Sequence, residues 1–330
     1  MARAVALLSG GLDSFLATKL ILEQGIVVEG VYFSSVFYSS KNKPVSISRL
    51  ITHQLNIPLA SFDISLELLK VVKNPKHGYG KNLNPCIDCR ILMLKKAYQY
   101  MKKLRADFLI TGEVLGERPF SQRRQALTLI GKEAGLEGLI LRPLSAKLLR
   151  PTLAEEKGLI NRGKLLDIKG KSRKPQFRLA EELGIKKYLT PAGGCLLTEE
   201  GFSQRMKDLF RYNPEFLLED VKLLKIGRHF RISPKAKLIV ARNENECKAL
   251  ISLAKRDDFV FYPQEGRGPV GLGRGNFEKD DIFLASGIVA RYTDKRSISL
   301  KIVFKEFSSR ESNLLTIPPL APPYLESLRI

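Results

Sequence analysis

Tryptophan is absent from the chain, histidine occurs three times and cysteine four times in 330 residues. Four cysteines, at Cys86, Cys89, Cys195 and Cys247, are too sparse for a disulfide-stapled scaffold and suit a reducing compartment. Long apolar runs are lacking too. The stretch Met1 to Leu8 carries one Arg and breaks at Ser9-Gly10-Gly11, well short of the ~18 apolar residues that span a bilayer. We therefore expect no signal peptide, no membrane partner and a cytoplasmic location. Acidic residues are the last scarcity. Asp and Glu number 34 against 55 Lys and Arg, a net charge of +21. Such an excess suits a polyphosphate partner, nucleic acid above all, against the plainer alternative of a solvated basic surface. With 44 % hydrophobic residues the chain can bury a real core, and its length allows two or three units.

Strand-like and helix-like segments alternate in the first part. Val5 to Leu8 is a short apolar run of the buried-strand type, and Leu12, Phe15, Leu16 and Leu20 follow at helical spacing before Gly25. Val27 to Phe33 predicts a second strand, and Ile47, Leu50, Ile51 and Leu55 a helix face ended by Pro58. Strands at 59–64, 108–111 and 139–141 and helices from near Ile87 and over 122–134 continue the series. Repeated βα units predict an α/β fold with a mainly parallel, Rossmann-like sheet over residues 1–200, with ligands outside the carboxyl ends of its strands. Residues 201–330 predict a smaller α+β domain: two helical stretches, strands at 238–241, 259–262, 282–291 and 298–304, and an extended Pro-rich tail at 318–323.

Ser9-Gly10-Gly11-Leu12-Asp13-Ser14 stands where the first strand should turn into the first helix. Backbone N–H groups and hydroxyls can converge there on an anion, and the glycines permit close approach to phosphate. No Lys follows the glycines, so this is not the loop of kinase-like ATPases. Asn84-Pro85-Cys86-Ile87-Asp88-Cys89 is a C-x-x-C at a helix start, a position expected to lower thiol pKa and favour a nucleophile or metal ligand. Cys195 follows far off in a Pro191-Ala192-Gly193-Gly194-Cys195 turn, and His77 is the one histidine near the C-x-x-C. Lys169 to Arg178 packs five cations into ten residues, and Arg118 to Arg124 is a second basic loop; both suit phosphate contacts.

The six-residue loop resembles the PP-loop, S-G-G-x-D-S, of the ATP pyrophosphatases (the adenine nucleotide alpha-hydrolase-like group). Members of that group form an adenylated intermediate and release pyrophosphate. The resemblance implies that Ser9, Gly10, Gly11, Asp13 and Ser14 cradle the pyrophosphate of ATP with Mg2+, and that Thr111-Gly112 lines the nucleotide pocket. With the N-P-C-x-x-C and the distant lone Cys, residues 1–200 resemble the tRNA thiouridylases, 2-thiouridylases and 4-thiouridine synthetases alike. That implies adenylation of a uridine carbonyl and replacement of its oxygen by sulfur, with Asp13, Cys86 and Cys195 in catalytic roles. Two sulfur sources stay open: a persulfide on one cysteine, or a 4Fe-4S iron-sulfur cluster on Cys86, Cys89 and Cys195. The implied partners are tRNA, held by Lys171, Arg173, Lys174, Arg178, Arg123 and Arg124, and a sulfur donor: sulfide, a cysteine desulfurase or a sulfur carrier. The part around Leu238 to Glu246 and Gly266 to Pro269 resembles the RNA-associated NFACT-R module, although the D-x-W-F-H core of the larger module is missing. Two other classes fit the same residues: a PP-loop ligase for a small molecule, and an RNA-binding factor without turnover.

Overall fold

Short β-branched runs bounded by glycine form the strands at the centre of the N-terminal part. A computed structural model describes residues 1–38, 44–188, 194–294 and 297–330, with the side chains of 44–46 left aside. The chain divides into two units, Met1–Thr198 and Glu199–Ile330.

The first unit runs β1 (Arg3–Leu7), α1 (Leu12–Leu22), β2 (Val27–Ser34), α2 (Pro44–Leu55), β3 (Leu59–Asp63), α3 (Ser65–Lys73) and α4 (Cys86–Lys103). It continues through β4 (Phe108–Thr111), α5 (Arg124–Ala134), β5 (Ile140–Leu141), α6 (Leu153–Glu156) and α7 (Lys174–Glu182). The five strands form a parallel sheet in the order β3-β2-β1-β4-β5. The chain winds outward from β1 through β2 to β3, then crosses back to β4. The crevice between the carboxyl ends of β1 and β4 is thus a switch point, where open α/β sheets bind ligands. Helix α1 fills the space behind it: Leu12, Phe15, Leu16, Ala17 and Ile21 are fully buried, so it is apolar nearly all round, as an interior helix must be. Helix α3 went unread in the sequence, although Leu68, Leu69 and Val72 give it a buried face.

The second unit comprises α8 (Glu200–Tyr212), α9 (Leu218–Leu223), β6 (Arg228–Ser233), β7 (Ala236–Val240), α10 (Glu244–Ser252) and β8 (Phe259–Pro263). After these come β9 (Gly271–Gly275), α11 (Lys279–Arg291), β10 (Leu300–Glu306), β11 (Asn313–Ile317) and α12 (Pro322–Ser327). Its strands form an antiparallel sheet in the order β11-β10-β8-β9-β7-β6.

Two expectations are corrected here. Residues 282–291 form part of α11 instead of a strand: Glu278 and Asp281 cap the helix start reciprocally, and Ala285, Ile288, Val289 and Ala290 bury it against the sheet. Gly271, Gly273 and Gly275 lie on β9. A Cβ at Gly271 would fall 2.7 Å from a Val289 methyl, and one at Gly273 2.6 Å from the Phe277 ring, so only glycine lets α11 and Phe277 lie on that strand. The Pro-rich end turns helical from Pro322, because a fixed φ suits a helix's first turn, and it anchors Leu325 in the core. Among the described residues no helix is long and apolar enough to cross a membrane.

Candidate active site

The Ser9 to Ser14 loop leaves β1 at the switch point and folds onto itself. Leu8 N–H still reaches Val31 O at 2.9 Å, then Gly10 turns the chain with φ 77°, a conformation that glycine adopts freely. Ser14 Oγ donates to Gly11 O at 2.8 Å, and Gly11 N–H reaches Ser9 Oγ at 3.4 Å. No side chain caps α1, so its first N–H groups retain their capacity for an anion. Gly112, in the turn after β4, presses against this start. A Cβ there would lie 2.5 Å from Asp13 C and Ser14 N.

In front of the loop is a cavity of about 220 Å³, lined by Ser9, Gly11, Asp13, Ser14 and Gly112 on one side and by Cys86, Cys89 and Cys195 on the other. The sequence-predicted nucleotide and sulfur residues thus meet in one space. Two stand back from it: Gly10 makes the turn, and Thr111 is buried behind Gly112, its Oγ1 donating to Glu113 Oε2 at 3.0 Å. Asp13 meets Arg173 in a two-point ion pair at 3.0 and 2.9 Å, and Arg173 also reaches Glu117 at 3.3 Å. Burial pushes the Asp13 carboxyl up, and Arg173, then Arg118, pull it back without cancelling the shift.

Cys86 and Cys89 open α4. Cys86 Sγ donates to Asn84 Oδ1 at 2.9 Å, and Asp88 between them is engaged by His77, Nδ1 to Oδ1 at 2.7 Å. His77 therefore fixes the loop before α4 instead of joining the thiols. Cys195 arrives through an antiparallel bridge to Tyr38, beside a Leu196 N–H bond to Phe37 O at 2.9 Å. Of the predicted Pro191 to Cys195 turn, residues 191–193 lie outside the described residues. The expected lowering of thiol pKa is reversed. Burial pushes the Cys89 and Cys195 thiols up to about 12 and raises Cys86 as well, since removing a thiolate from water outweighs the helix end and the arginines. Among the described residues no group of three or more His, Cys, Asp or Glu side chains is arranged to hold a metal ion.

Several lining residues escaped the sequence reading. Arg90, one helical turn after Cys86, pairs with Glu113 at 3.1 Å, and Arg142 takes the other carboxylate oxygen at 2.9 Å. Burial opposes the Glu113 charge, but Arg142 and Arg90 prevail and hold its carboxyl below the usual range. Arg90 also acts on Cys89, Tyr38 and Cys86. The i, i+4 spacing of Cys86 and Arg90 on a predicted helix was the available signal. Of the basic residues assigned to RNA, Lys171, Lys174, Arg178, Arg123 and Arg124 are exposed, whereas Arg173 points into the cavity.

Residues 1–147 match the family described as thiamine biosynthesis protein (ThiI), and residues 227–328 match the NFACT protein RNA binding domain. The chain is 30 % identical over 179 residues to the "Probable tRNA sulfurtransferase" of Lysinibacillus sphaericus, covering 47 % of this chain and 38 % of that one. It is 25 % identical over 240 residues to the tRNA-specific 2-thiouridylase MnmA of Stutzerimonas stutzeri, covering 69 % and 60 %. The chain thus spans 38 % to 60 % of these relatives' length. Among solved structures, a 4-thiouridine synthetase in complex with RNA and bound ATP is 22 % identical with a TM-score of 0.36, over 56 % of this chain and 52 % of that one. The U34-tRNA thiolase NcsA of Methanococcus maripaludis, with its 4Fe-4S cluster, is 15 % identical with a TM-score of 0.35, over 68 % and 70 %. The N-terminal part is thus similar to the ThiI family over residues 1–147, and the C-terminal part to the NFACT RNA-binding domain over residues 227–328.

Proposed function

We propose that this chain is a cytoplasmic enzyme that uses ATP to adenylate a uridine carbonyl in tRNA and exchanges that oxygen for sulfur. The observation that carries the reading is the single cavity shared by an uncapped phosphate loop and three thiols. In the cycle, the pyrophosphate part of ATP lies on Ser9 to Ser14 with Mg2+, and Asp13 and Arg173 exchange their mutual pair for contacts to metal and phosphate. The uridine oxygen attacks the α-phosphorus and pyrophosphate leaves. A sulfur nucleophile then attacks the activated carbon, and AMP departs with the oxygen. With a persulfide on one of Cys86 and Cys195, the outer sulfur bonds to the base. The other cysteine then breaks the S–S bond and the pair ends as a disulfide.

Cys86, Cys89 and Cys195 are the residues that would hold an iron-sulfur cluster, after a rearrangement, since as they stand they are not arranged to hold a metal ion. What supports that group is the soft donor set around one cavity, with Arg90 and Arg118 nearby to offset charge. Such a cluster, held by those three thiolates, would supply sulfide to the activated carbon. Exposed Lys171, Lys174, Arg178, Arg123 and Arg124 serve the RNA backbone, and the second unit is an RNA docking module. Sulfide could open the disulfide left by the persulfide route, leaving a persulfide on one cysteine and a free thiol on the other; alternatively, once a reductant has opened it, a desulfurase or carrier persulfide could pass its outer sulfur to a freed thiol.

The test is anaerobic incubation of the protein with ATP, with and without bulk tRNA, resolving AMP and pyrophosphate from ADP and phosphate. AMP that rises with tRNA, followed by thiolated nucleosides in mass spectra, is the expected result. AMP indifferent to tRNA would point to a small-molecule ligase, and no AMP to a binding factor.

A further inference from the structure

The second unit holds a cavity of its own, about 180 Å³, that no step of the proposed reaction uses. Helices α8 and α9, the β6–β7 hairpin and β9 form its walls, which are of two kinds. Leu209, Leu223, Leu224 and Ile239 make an apolar slot, and Arg231, Lys235, Lys237 and Arg274 bring cations to it. Three of these cations are held by carboxylates, of which Asp220 itself lines the cavity. Arg231 and Lys237 share Asp208 at 2.7 and 2.8 Å, and Arg274 spans Asp220 and Asp258 at 2.8 and 2.6 Å. The site is therefore ordered before a ligand arrives, which lowers the entropy lost on binding.

Two further features narrow the ligand. The Arg231 guanidinium lies 4.4 Å from the Tyr212 ring centre, the aromatic and guanidinium planes on which bases stack. His229, 1 % exposed, lines the cavity with Nε2 at 2.8 Å from Ile226 O. A carbonyl only accepts, so Nε2 carries the proton and Nδ1 is an acceptor, which has no hydrogen-bond partner in the structure. An apolar slot with stacking planes, cations and an unused acceptor fits a planar ring that bears N–H and is joined to phosphate. We propose that this cavity binds one splayed-out nucleotide of single-stranded RNA, its base among the leucines and its phosphate at Lys235 and Arg231. The inference rests on the RNA-docking reading of the second unit and on no chemistry in the first.

The test uses the full chain and single-stranded RNA of about ten nucleotides carrying one 5-iodouridine, a length within the site size of such binders. Ultraviolet crosslinking is expected to label the Tyr212 peptide, and Leu223→Trp, which fills the slot, to abolish that label. Lys235→Glu, on the exposed rim, is the second variant. It should weaken binding by roughly five- to tenfold and reduce the slope of log affinity against log salt by about one. Crosslinks confined to residues 1–198, an unchanged affinity and slope in Lys235→Glu, or displacement of the RNA by inorganic phosphate as well as by UMP would each overturn the proposal. The Asp13→Asn protein separates the readings. Its Tyr212 crosslink should persist when AMP formation is lost, whereas AMP formation without the crosslink sinks the pocket alone.

Discussion

Gly112→Ala tests how the nucleotide side of the cavity is built. The added methyl would sit 2.5 Å from Asp13 C, 2.5 Å from Ser14 N and 2.6 Å from Asp13 O. All three are backbone atoms at the start of α1, so no side chain can swing away and either the turn or the phosphate loop must shift. Overpacking of this kind destabilises by about 1 to 3 kcal/mol. In a domain of this size that lowers Tm by roughly 2 to 12 °C. The loss in ligand binding should be larger, because Ser14 N–H is among the groups proposed to hold phosphate. ATP at a hundred times its Kd stabilises a protein by about 2.7 kcal/mol, and this increment should shrink or vanish. Scanning calorimetry with and without ATP and Mg2+ reads both effects. Gly131→Ala is the control. A Cβ at Gly131 meets nothing within 4 Å, so that helix-interior substitution should stabilise by about 0.5 to 1 kcal/mol and leave the ATP increment intact. If Gly112→Ala keeps both its melting temperature and its ATP-dependent gain, the close approach does not shape the site.

Arg173→Met removes the strongest influence opposing the raised Asp13 carboxyl, which should rise further. AMP formation at pH 7 should fall by about tenfold and its acid limb move to higher pH, with Arg173→Lys intermediate because one ammonium cannot span Asp13 and Glu117 as Nη2 and Nη1 of the guanidinium do; an unshifted profile would remove Asp13 from metal holding. Cys86→Ala and Cys195→Ala should retain ATP binding and lose RNA thiolation, and normal thiolation by both would end the cysteine mechanism. In the free protein Cys89 and Cys195, pushed up to about 12 by burial, should be alkylated far more slowly at pH 8 than an unfolded thiol, as mass mapping after brief iodoacetamide treatment can show. Burial holds the His229 ring well below its usual pKa, so the unfolded chain binds a proton that the folded one refuses. That contribution to stability is whole above the ordinary value near 6.5 and is lost as pH falls toward the folded one; His229→Gln should flatten this slope in melts from pH 7.5 to 5.

The phosphate loop was legible because everything it needs is local: an apolar strand, two glycines and hydroxyls ahead of a helix. The C-x-x-C was local as well, but the place of Cys195 beside it came only from resemblance, since the bridge to Tyr38 joins segments far apart in sequence. Arg90, Arg142 and their pairing with Glu113 were unreadable for the same reason. Each looks like an ordinary surface charge until the sheet brings them together. Thiol acidity was misjudged because the helix end was weighed without burial, which the linear sequence does not display. Helix α11 was mistaken for a strand because Ile282, Phe283, Leu284, Ile288 and Val289 are too dense to show a period of 3.6.

Arg90 stands between the two halves of the first cavity, one side on Glu113 and the other toward the thiols. A single guanidinium therefore answers to two anions, one permanent and one that exists only when a thiol ionises. Charge arriving beside Glu113 draws it one way, and a nascent thiolate draws it the other. On the proposed reading, nucleotide occupancy and sulfur reactivity are competing claims on one cation, and a substitution on either side should be felt on the other.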